Sequence, residues 1–314
     1  MTTNYSGKCI VYGGGGFIGS NLTGLLLERG YEVCVFDKLN FSKKNIEEYL
    51  DRIKIIEGDF YNEADLKNSL AGADFVFHLV SSTIPATSNR NPVYDAETNL
   101  ISTLHLLEEC VLQKVKKVIF ISSGGTVYGN PETVPVKESQ YGHPICSYGI
   151  IKKTIEDYFF MYNKLYGLNY NVFRLSNPYG LKQSPHFAQG AVAVFLYKAI
   201  KGIPIEIWGD GSVVRDYIYI SDVVEILADS LTKDFNEKVF NLSSGKGLNL
   251  NELIEKISGV LKFKPDVRYS PSRNVDLKVN ILDNSLVRER FKKVPLVSIE
   301  EGLKLTAEFL KKID

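Results

Sequence analysis

A short apolar strand that breaks into glycines and then resumes with helical apolar spacing leaves few folds open to a chain. Residues 10–20, Ile10-Val-Tyr-Gly-Gly-Gly-Gly-Phe-Ile-Gly-Ser20, read in that way as strand, tight turn and helix. Gly13, Gly16 and Gly19 stand three residues apart. One can make the turn, one can let a pyrophosphate reach bare backbone, and one can let the helix press on the sheet. The N–H groups that open the helix, at Phe17 and Ile18, and the positive end of its dipole would then face an anion. Glycines also serve many α/β proteins only as turns, so the next strand decides. Tyr31-Glu-Val-Cys-Val-Phe-Asp37 ends in an acid 18 residues after Gly19, where a carboxylate can accept both hydroxyls of an adenine ribose. A 2′-phosphate would be repelled there, so Asp37 favours NAD over NADP, while the neighbouring Lys38 pulls the other way.

From residue 8 to about 175, apolar strands near 8–13, 31–37, 53–57, 74–80, 117–122 and 169–175 alternate with amphipathic helices. That alternation predicts an α/β fold with a doubly wound parallel sheet of Rossmann type, covered on both faces. Ligands of such sheets lie beyond the carboxyl ends of the strands. After the third strand, Asp59 and Phe60 offer an adenine a carboxylate and an aromatic face, or form a capped turn. After the fourth, Leu79, Val80 and Ser81 run where a nicotinamide-side ribose or phosphate would pass, or make a plain polar loop. Asn99 lies amid Leu100, Leu104, Leu106 and Leu107 and can bond a loop. The fifth strand delivers Ser122 and Ser123 into the flexible turn Gly124-Gly-Thr-Val-Tyr-Gly129. The second half has shorter strands and more loops. Strands near 205–207 and 238–242 are expected to return to the main sheet, so that residues 1–175 form the dinucleotide domain and residues 176–314 a smaller, interleaved α/β lobe.

Tyr148 and Lys152 stand four apart at the start of a helix that runs through Tyr166, and therefore share one face. A free tyrosine, with a pKa of about 10, is a poor base at neutral pH. A nearby ammonium and a positive nicotinamide ring would both favour the phenolate. Such a spacing also arises in packing, but after the fifth strand of a dinucleotide sheet it marks a site.

Composition excludes other classes. Apolar residues make up 44% and charged residues 24% of 314, with a formal net charge of zero and both signs interspersed. No basic surface speaks for nucleic acid, and no polybasic run for a membrane. The first residues lack the pattern of a signal peptide, and no apolar run reaches the ~18 residues of a membrane span. The expectation is cytoplasmic. Cys9, Cys34, Cys110 and Cys146 lack metal-ligand spacing and read as reduced thiols; no metal is expected.

Several segments together carry a resemblance: G-x-x-G-x-x-G in the first turn, Asp37, Gly58-Asp59-Phe60, His78-Leu79, Asn99, Ser122-Ser123 with Val127-Tyr128-Gly129, and Tyr148-x-x-x-Lys152. The second half adds Arg174-Leu-Ser-Asn-Pro-Tyr-Gly180, Trp208-Gly-Asp-Gly-Ser-Val-Val-Arg-Asp-Tyr217 and Arg273-Asn-Val-Asp276. The chain resembles an extended short-chain dehydrogenase/reductase of the NAD-dependent sugar epimerase/dehydratase family, over all but about the last forty residues. The resemblance implies NAD as a tightly held cofactor, Ser176 among its contacts, and a UDP-sugar substrate. Asn177, Gln189, Trp208, Arg215, Arg273, Asp276 and Asn280 would hold the substrate. Guanidinium forks suit Arg215 and Arg273 to a diphosphate, although Arg215 could instead pair with adjacent Asp216. Asn280 would meet the 2-substituent of the sugar, or cap the turn before Ile281; as a small residue it would admit an acetamido group.

The implied reaction is 4-epimerisation of a UDP-hexose. Phenolate Tyr148 takes the 4-hydroxyl proton, hydride passes to NAD, the 4-keto sugar turns over, and hydride returns to its other face. Two positions depart from the pattern. Gly124 stands where relatives carry a Ser or Thr on the sugar hydroxyl, leaving Thr126, the favoured substitute, or Ser123. Tyr12 stands where a small hydroxyl residue is usual beside the pyrophosphate. Gly125 and Thr126 also replace the Asp-Glu pair of 4,6-dehydratases and the Glu of decarboxylases, and Ala86 replaces the Arg of epimerases that act on uronates. The alternatives are another epimerase, a dehydratase or a reductase acting on nucleotide sugars, or a non-catalytic NAD-binding protein. The resemblance also implies a homodimer through helices near 92–113 and 147–165, with Ile151, Ile155, Phe159 and Tyr162 at suitable spacing, although some of these must face the chain's own sheet.

Overall fold

The structure is a computed structural model and describes residues 6–186, 190–271, 277–293 and 297–313. Its first strands are β1 (Lys8–Tyr12), β2 (Glu32–Asp37), β3 (Lys54–Glu57), β4 (Phe75–His78), β5 (Lys117–Ser123) and β6 (Tyr170–Leu175). The helices between them are α1 (Phe17–Glu28), α2 (Glu63–Ser69), α3 (Pro85–Ser88), α4 (Pro92–Asp95), a π turn (Ala96–Ile101) running into α5 (Ser102–Leu112), and α6 (Ser147–Tyr166). Local chemistry sets their ends. Asn62 caps α2 by accepting from Ala64 and Asp65, and α6 stops at Gly167, whose φ of 71° is left-handed.

The second half adds β7 (Asn177–Tyr179), α7 (Ala191–Ile200), β8 (Ile205–Trp208), β9 (Val214–Tyr219), α8 (Ile220–Asp229), β10 (Val239–Leu242), β11 (Gly247–Asn249), α9 (Leu250–Leu261), β12 (Val267–Ser270), β13 (Val279–Asn280), α10 (Ser285–Phe291) and α11 (Ile299–Leu310). A reciprocal capping box of Asn249 and Glu252 starts α9.

The main sheet has seven strands in the order β10-β6-β5-β4-β1-β2-β3. The β1–β2, β1–β4, β2–β3 and β4–β5 pairs are parallel. Strand order reverses between β1 and β4, so the crevice for a ligand opens where those two strands end. Burial of β1, β4, β5 and β6 along nearly their whole length is the mark of a sheet covered on both faces. Between that sheet and helices α2, α5 and α6 lies one apolar core containing Ile10, Phe36, Val76, Leu106, Phe120, Ile155 and Phe159.

Contacts divide the chain into two compact units, residues 1–129, 141–174 and 224–240 in the first and 130–140, 175–223 and 241–314 in the second. The boundary therefore differs from a single cut after residue 175, since one segment from each side of it belongs to the other unit. In the second unit β9 is flanked by antiparallel β11 and parallel β13 and also pairs with β7.

Three expectations change. The strand near 205–207 does not return to the main sheet; β8 pairs with β12 in a sheet of two. Its alternation of buried Ile205 and Ile207 with exposed Glu206 and Trp208 suits a strand with one wet face. The strand near 238–242, β10, does join the main sheet at its edge. Tyr12 points away from any pyrophosphate: it is 0% exposed, its phenol bonds Ser69 Oγ at 2.7 Å, and its ring packs on Phe36 and Phe60. Ile151, Ile155, Phe159 and Tyr162 are likewise core residues of their own chain. Among the described residues no helix is long and apolar enough to cross a membrane.

One buried polar group in β6 stands out against this packing. Asn171 is 0% exposed, and both ends of its amide lack a hydrogen-bond partner among the described residues. Such a group costs about 1–3 kcal/mol in desolvation. Asn171→Leu, close in volume, should therefore raise the thermal unfolding midpoint. A lowered midpoint would mean that the amide is satisfied by water.

Candidate active site

The first half of the site is a turn held by backbone. Gly13, with φ +81°, donates to Phe36 O at 2.8 Å, and Leu79 N donates to Tyr12 O at 3.2 Å, so the ends of β1, β2 and β4 are tied together. A Cβ on Gly19 would collide with the carbonyl of Gly13, so only glycine lets α1 lie this close to the turn. Gly16 is the N-cap of α1 and gives no side-chain cap, and no acidic residue occupies the first turn. The N–H groups of Phe17 and Ile18 thus belong to a helix start without a built-in anion, which fits a pyrophosphate. Half-buried Asp37 lies at the rim, where its Oδ2 accepts from Gly15 N at 2.9 Å and its Oδ1 from Lys38 N at 2.9 Å. Burial raises its pKa, opposed by those hydrogen bonds. Lys38 itself is exposed.

The loop after β4 lines the other bank. Leu79 and Val80 are half-buried and Ser81 is exposed. Asn99 is only 6% exposed. Its Oδ1 accepts from Ser82 N at 3.0 Å, and its Nδ2 donates to Ser82 Oγ at 2.8 Å and to Asp95 Oδ1 at 2.9 Å. Asn99 therefore fixes the loop after β4. Asp59 is exposed and accepts from Tyr61 N. Phe60 is a correction. Its ring is 9% exposed and packs between Tyr12 and His78, so it belongs to the core and offers no face to adenine.

The second half of the site is the start of α6. Lys152 is 5% exposed, donates to Ile121 O at 3.0 Å, and has its Nζ 5.7 Å from the Tyr148 ring centre. Burial pushes Tyr148 up to about 12, opposed by a hydrogen bond with Ser81. Burial brings Lys152 down to about 8, opposed by the charges of Asp95 and Glu156. At neutral pH the pair is thus a phenol and an ammonium. Burial thus leaves the phenol high in the chain without ligand, and further positive charge beside it would favour the phenolate.

Strand alternation separates the two serines of β5. Ser122 is 2% exposed and donates to Glu156 Oε1 at 2.5 Å, in a cluster where Arg174 grips Glu156 through Nε and Nη2 and donates to Tyr128. That corrects its expected cofactor role, because its hydroxyl is sealed behind the sheet. Ser123, on the opposite side, is half-buried. Thr126 is a second correction. Its Oγ1 is inaccessible and has no hydrogen-bond partner among the described residues, because the turn packs onto α6. A Cβ on Gly149 would lie 2.9 Å from Thr126 O and 3.1 Å from its Cβ.

The second unit carries a cavity of about 670 Å³, within the size range of small-ligand sites. Asn177, Trp208 and Arg215 line it. Asn177 Nδ2 donates to Asp216 O at 3.0 Å, and Trp208 is 41% exposed, as a wall residue and not a core residue would be. Arg215 donates to the carbonyls of Val214 and Leu277. Asp216, 0% exposed, points to the other face of β9 and accepts from Ser244 and Gly245; the adjacent pair is not an ion pair. Ser176 also directs its hydroxyl to Asp216. Asn280 pairs with Arg215 across β13 and β9, is 1% exposed, and is not among the described lining residues. It is a buried residue of β13. Gln189, Arg273 and Asp276 lie outside the described residues. Tyr217 and Lys198 also line the cavity and went unnoticed in the sequence, although the i, i+2 spacing of Arg215 and Tyr217 places both on one face.

A glycine turn at the switch point of a doubly wound sheet, an acid at the end of its second strand and a Tyr–Lys pair on the helix after its fifth define a dinucleotide-dependent enzyme of the short-chain type. The sequence profile of the NAD dependent epimerase/dehydratase family matches residues 9–243, and the chain belongs to that family. The UDP-glucose 4-epimerase of Mycolicibacterium smegmatis is 33% identical over 309 residues, 97% of this chain and 98% of that one. Among solved structures, the UDP-glucose 4-epimerase of Thermotoga maritima with UDP-glucose is 38% identical, with a TM-score of 0.92 over 97% of this chain and 99% of that one. A UDP-N-acetylglucosamine 4-epimerase from Methanobrevibacter ruminantium, in complex with UDP-N-acetylmuramic acid, is 32% identical, with a TM-score of 0.91 over 98% of each chain.

Asp37 gives a direct test of the turn. Asp37→Ala should weaken NAD binding and admit NADP, because the turn loses a carboxylate that opposes a 2′-phosphate. Titration of both dinucleotides by intrinsic fluorescence measures the ratio. An unchanged preference would remove Asp37 from cofactor selection.

Proposed function

We infer that this protein is an NAD-dependent 4-epimerase of UDP-hexoses. The observation that carries the reading is the turn at 124–126 beside Tyr148: it holds two glycines and one hydroxyl, that of Thr126, but no carboxylate, so a phenol base is present without the acids that elimination or decarboxylation would require. Asn177, Trp208, Arg215, Tyr217 and Lys198 bind the UDP-sugar, with Arg215 on the diphosphate and Trp208 against a ring. Tyr148 takes the proton of the sugar 4-hydroxyl and gives it back after the 4-keto sugar has turned, so there is no net redox. NAD, when bound, supplies the hydride acceptor and donor and a positive ring that favours the phenolate. Lys152 holds its charge beside the phenol, and Ser123 hydrogen-bonds the sugar hydroxyl in the place of the residue missing at Gly124.

A second reading, turnover of the N-acetylated pair as well, is supported by the likeness to an acetamido-sugar epimerase and no longer by Asn280. All four cysteines are free thiols, which suits a reducing cytoplasm. The same reading pairs two chains through α5 and α6. Its support is an exposed apolar stripe of Ile150, Phe160, Met161 and Leu165 on α6, near Ile101 and Leu112, which a monomer would leave wet.

UDP-galactose turnover, coupled to oxidation of UDP-glucose, is the deciding assay. Tyr148→Phe should lower kcat by about 10²- to 10⁴-fold with the fold intact, and Ser123→Ala should cost more than Thr126→Val. Turnover retained in Tyr148→Phe would end the mechanism, and the reverse order would restore Thr126. For assembly, light scattering should give a dimer at micromolar concentration and a monomer for Phe160→Glu. A monomeric parent chain would dispose of the dimer.

A further inference from the structure

Asp95, the last residue of α4, is 0% exposed, and its carboxylate joins three elements of the first unit. Oδ1 accepts from Thr83 Oγ1 at 2.6 Å, in the loop after β4, and from Asn99 Nδ2 at 2.9 Å, in the π turn. Oδ2 accepts from Ser147 Oγ at 2.6 Å, the first residue of α6. The start of α6 is held further by Asn89 Oδ1 on Ser147 N at 2.8 Å and by Ser88 Oγ on Tyr148 N at 3.1 Å. Every donor to Asp95 is neutral. A carboxylate buried among neutral donors is expensive unless positive charge lies near it.

The charges around Tyr148 show where that balance falls. On α6, Glu156 is matched by Arg174, at 2.6 Å. Lys152 feels the charges of Asp95 and Glu156. Buried His78 on β4, whose pKa is pressed down by burial and by Lys152, faces it as a neutral ring. Tyr148 feels Asp95 and Cys146, both of which oppose its ionisation, and Ser81, which favours it.

We propose that Asp95 is a positioning residue: it pins the first turn of α6 to the loop after β4, so that Tyr148 and Lys152 keep their places, and it holds a buried carboxylate beside them. The role rests on the epimerase reading only in that turnover is one of its readouts.

Asp95→Asn keeps the size, accepts from Thr83 through its one carbonyl oxygen and can turn its amide to Ser147 Oγ as a donor, but loses the charge. Both limbs of the kcat profile should then move to lower pH, by about one unit: the phenol loses a negative neighbour, and the ammonium loses the charge that holds its proton. In the purified chain without substrate, the ultraviolet phenolate band of Tyr148, read as the difference between Asp95→Asn with and without Tyr148→Phe, should titrate lower by a similar amount. Ser147→Ala breaks one arm and keeps the charge; it should lower kcat by about tenfold with KM and the limbs unmoved. A uniform fall in kcat with unmoved limbs and an unmoved phenolate band in Asp95→Asn would overturn the charge role, and full activity in Ser147→Ala would overturn the positioning role. A parent chain inactive on every UDP-hexose, with the band still shifted by Asp95→Asn, would reject the epimerase reading and leave this one standing.

Discussion

Helix α1 can approach the end of β1 only because Gly19 has no Cβ to strike the carbonyl of Gly13. Much of the first unit follows from that contact. With the helix drawn in, Gly13 N reaches Phe36 O and Gly15 N reaches Asp37, so the acid at the end of β2 is brought beside the turn that would carry phosphate. The same turn receives the loop after β4 through Leu79 N on Tyr12 O. The glycine turn, the acid beside it and the loop after β4 are thus held together by one close packing, and a side chain at residue 19 would disturb all three together.

Helix α6 is positioned by a different means. Its second turn carries Lys152, and one turn later Glu156 is held by Arg174 and Ser122. Burying this ion pair does not by itself stabilise the fold, since desolvation takes back much of the attraction. What the pair does is fix the rotation of α6 against β5, with Lys152 under Ile121 O and over the Phe120 ring. Asp95 then fixes the end of the helix that carries Tyr148. Two buried carboxylates, one at each side of the Tyr–Lys pair, leave the reactive phenol little freedom of place.

Much of this was legible in the sequence, and what was not has a common physical cause. Glycine spacing, the acid at Asp37, the alternation of strand and helix and the Tyr148–Lys152 spacing are local signals, and each led to the right element. The errors concern faces. Ser122 and Ser123 are adjacent and chemically alike, and only the partner across the sheet, Glu156, tells which of them is sealed. Phe60 and Tyr12 look like ligand neighbours in one dimension, but their rings meet each other and His78 in the core. Ile151, Ile155, Phe159 and Tyr162 have the period of an exposed helix stripe or of a core stripe equally well; the sheet behind them decides. The strand at 205–208 could have been read correctly, since its alternation already argued against a strand buried on both faces. Asp95 could not, because its three donors come from residues up to 52 positions away.

The second unit repeats the logic of the first around Asp216. This carboxylate accepts from Ser244 N and Oγ, Gly245 N and Leu282 N, a set of donors that a hydroxyl or an amide has too few lone pairs to satisfy. It thereby ties β9 to the turn after β10 and to the residues that follow β13. Because successive residues of a strand face opposite ways, Arg215 and Tyr217 are presented to the cavity by the residue buried between them. Asn at 216 would keep one of these acceptor oxygens and lose the other, leaving a backbone N–H of the Ser244–Gly245 turn without its acceptor and loosening the strand that carries both cavity side chains. The Arg-Asp-Tyr sequence is therefore one device: the acid organises the backbone, and its two neighbours line the cavity.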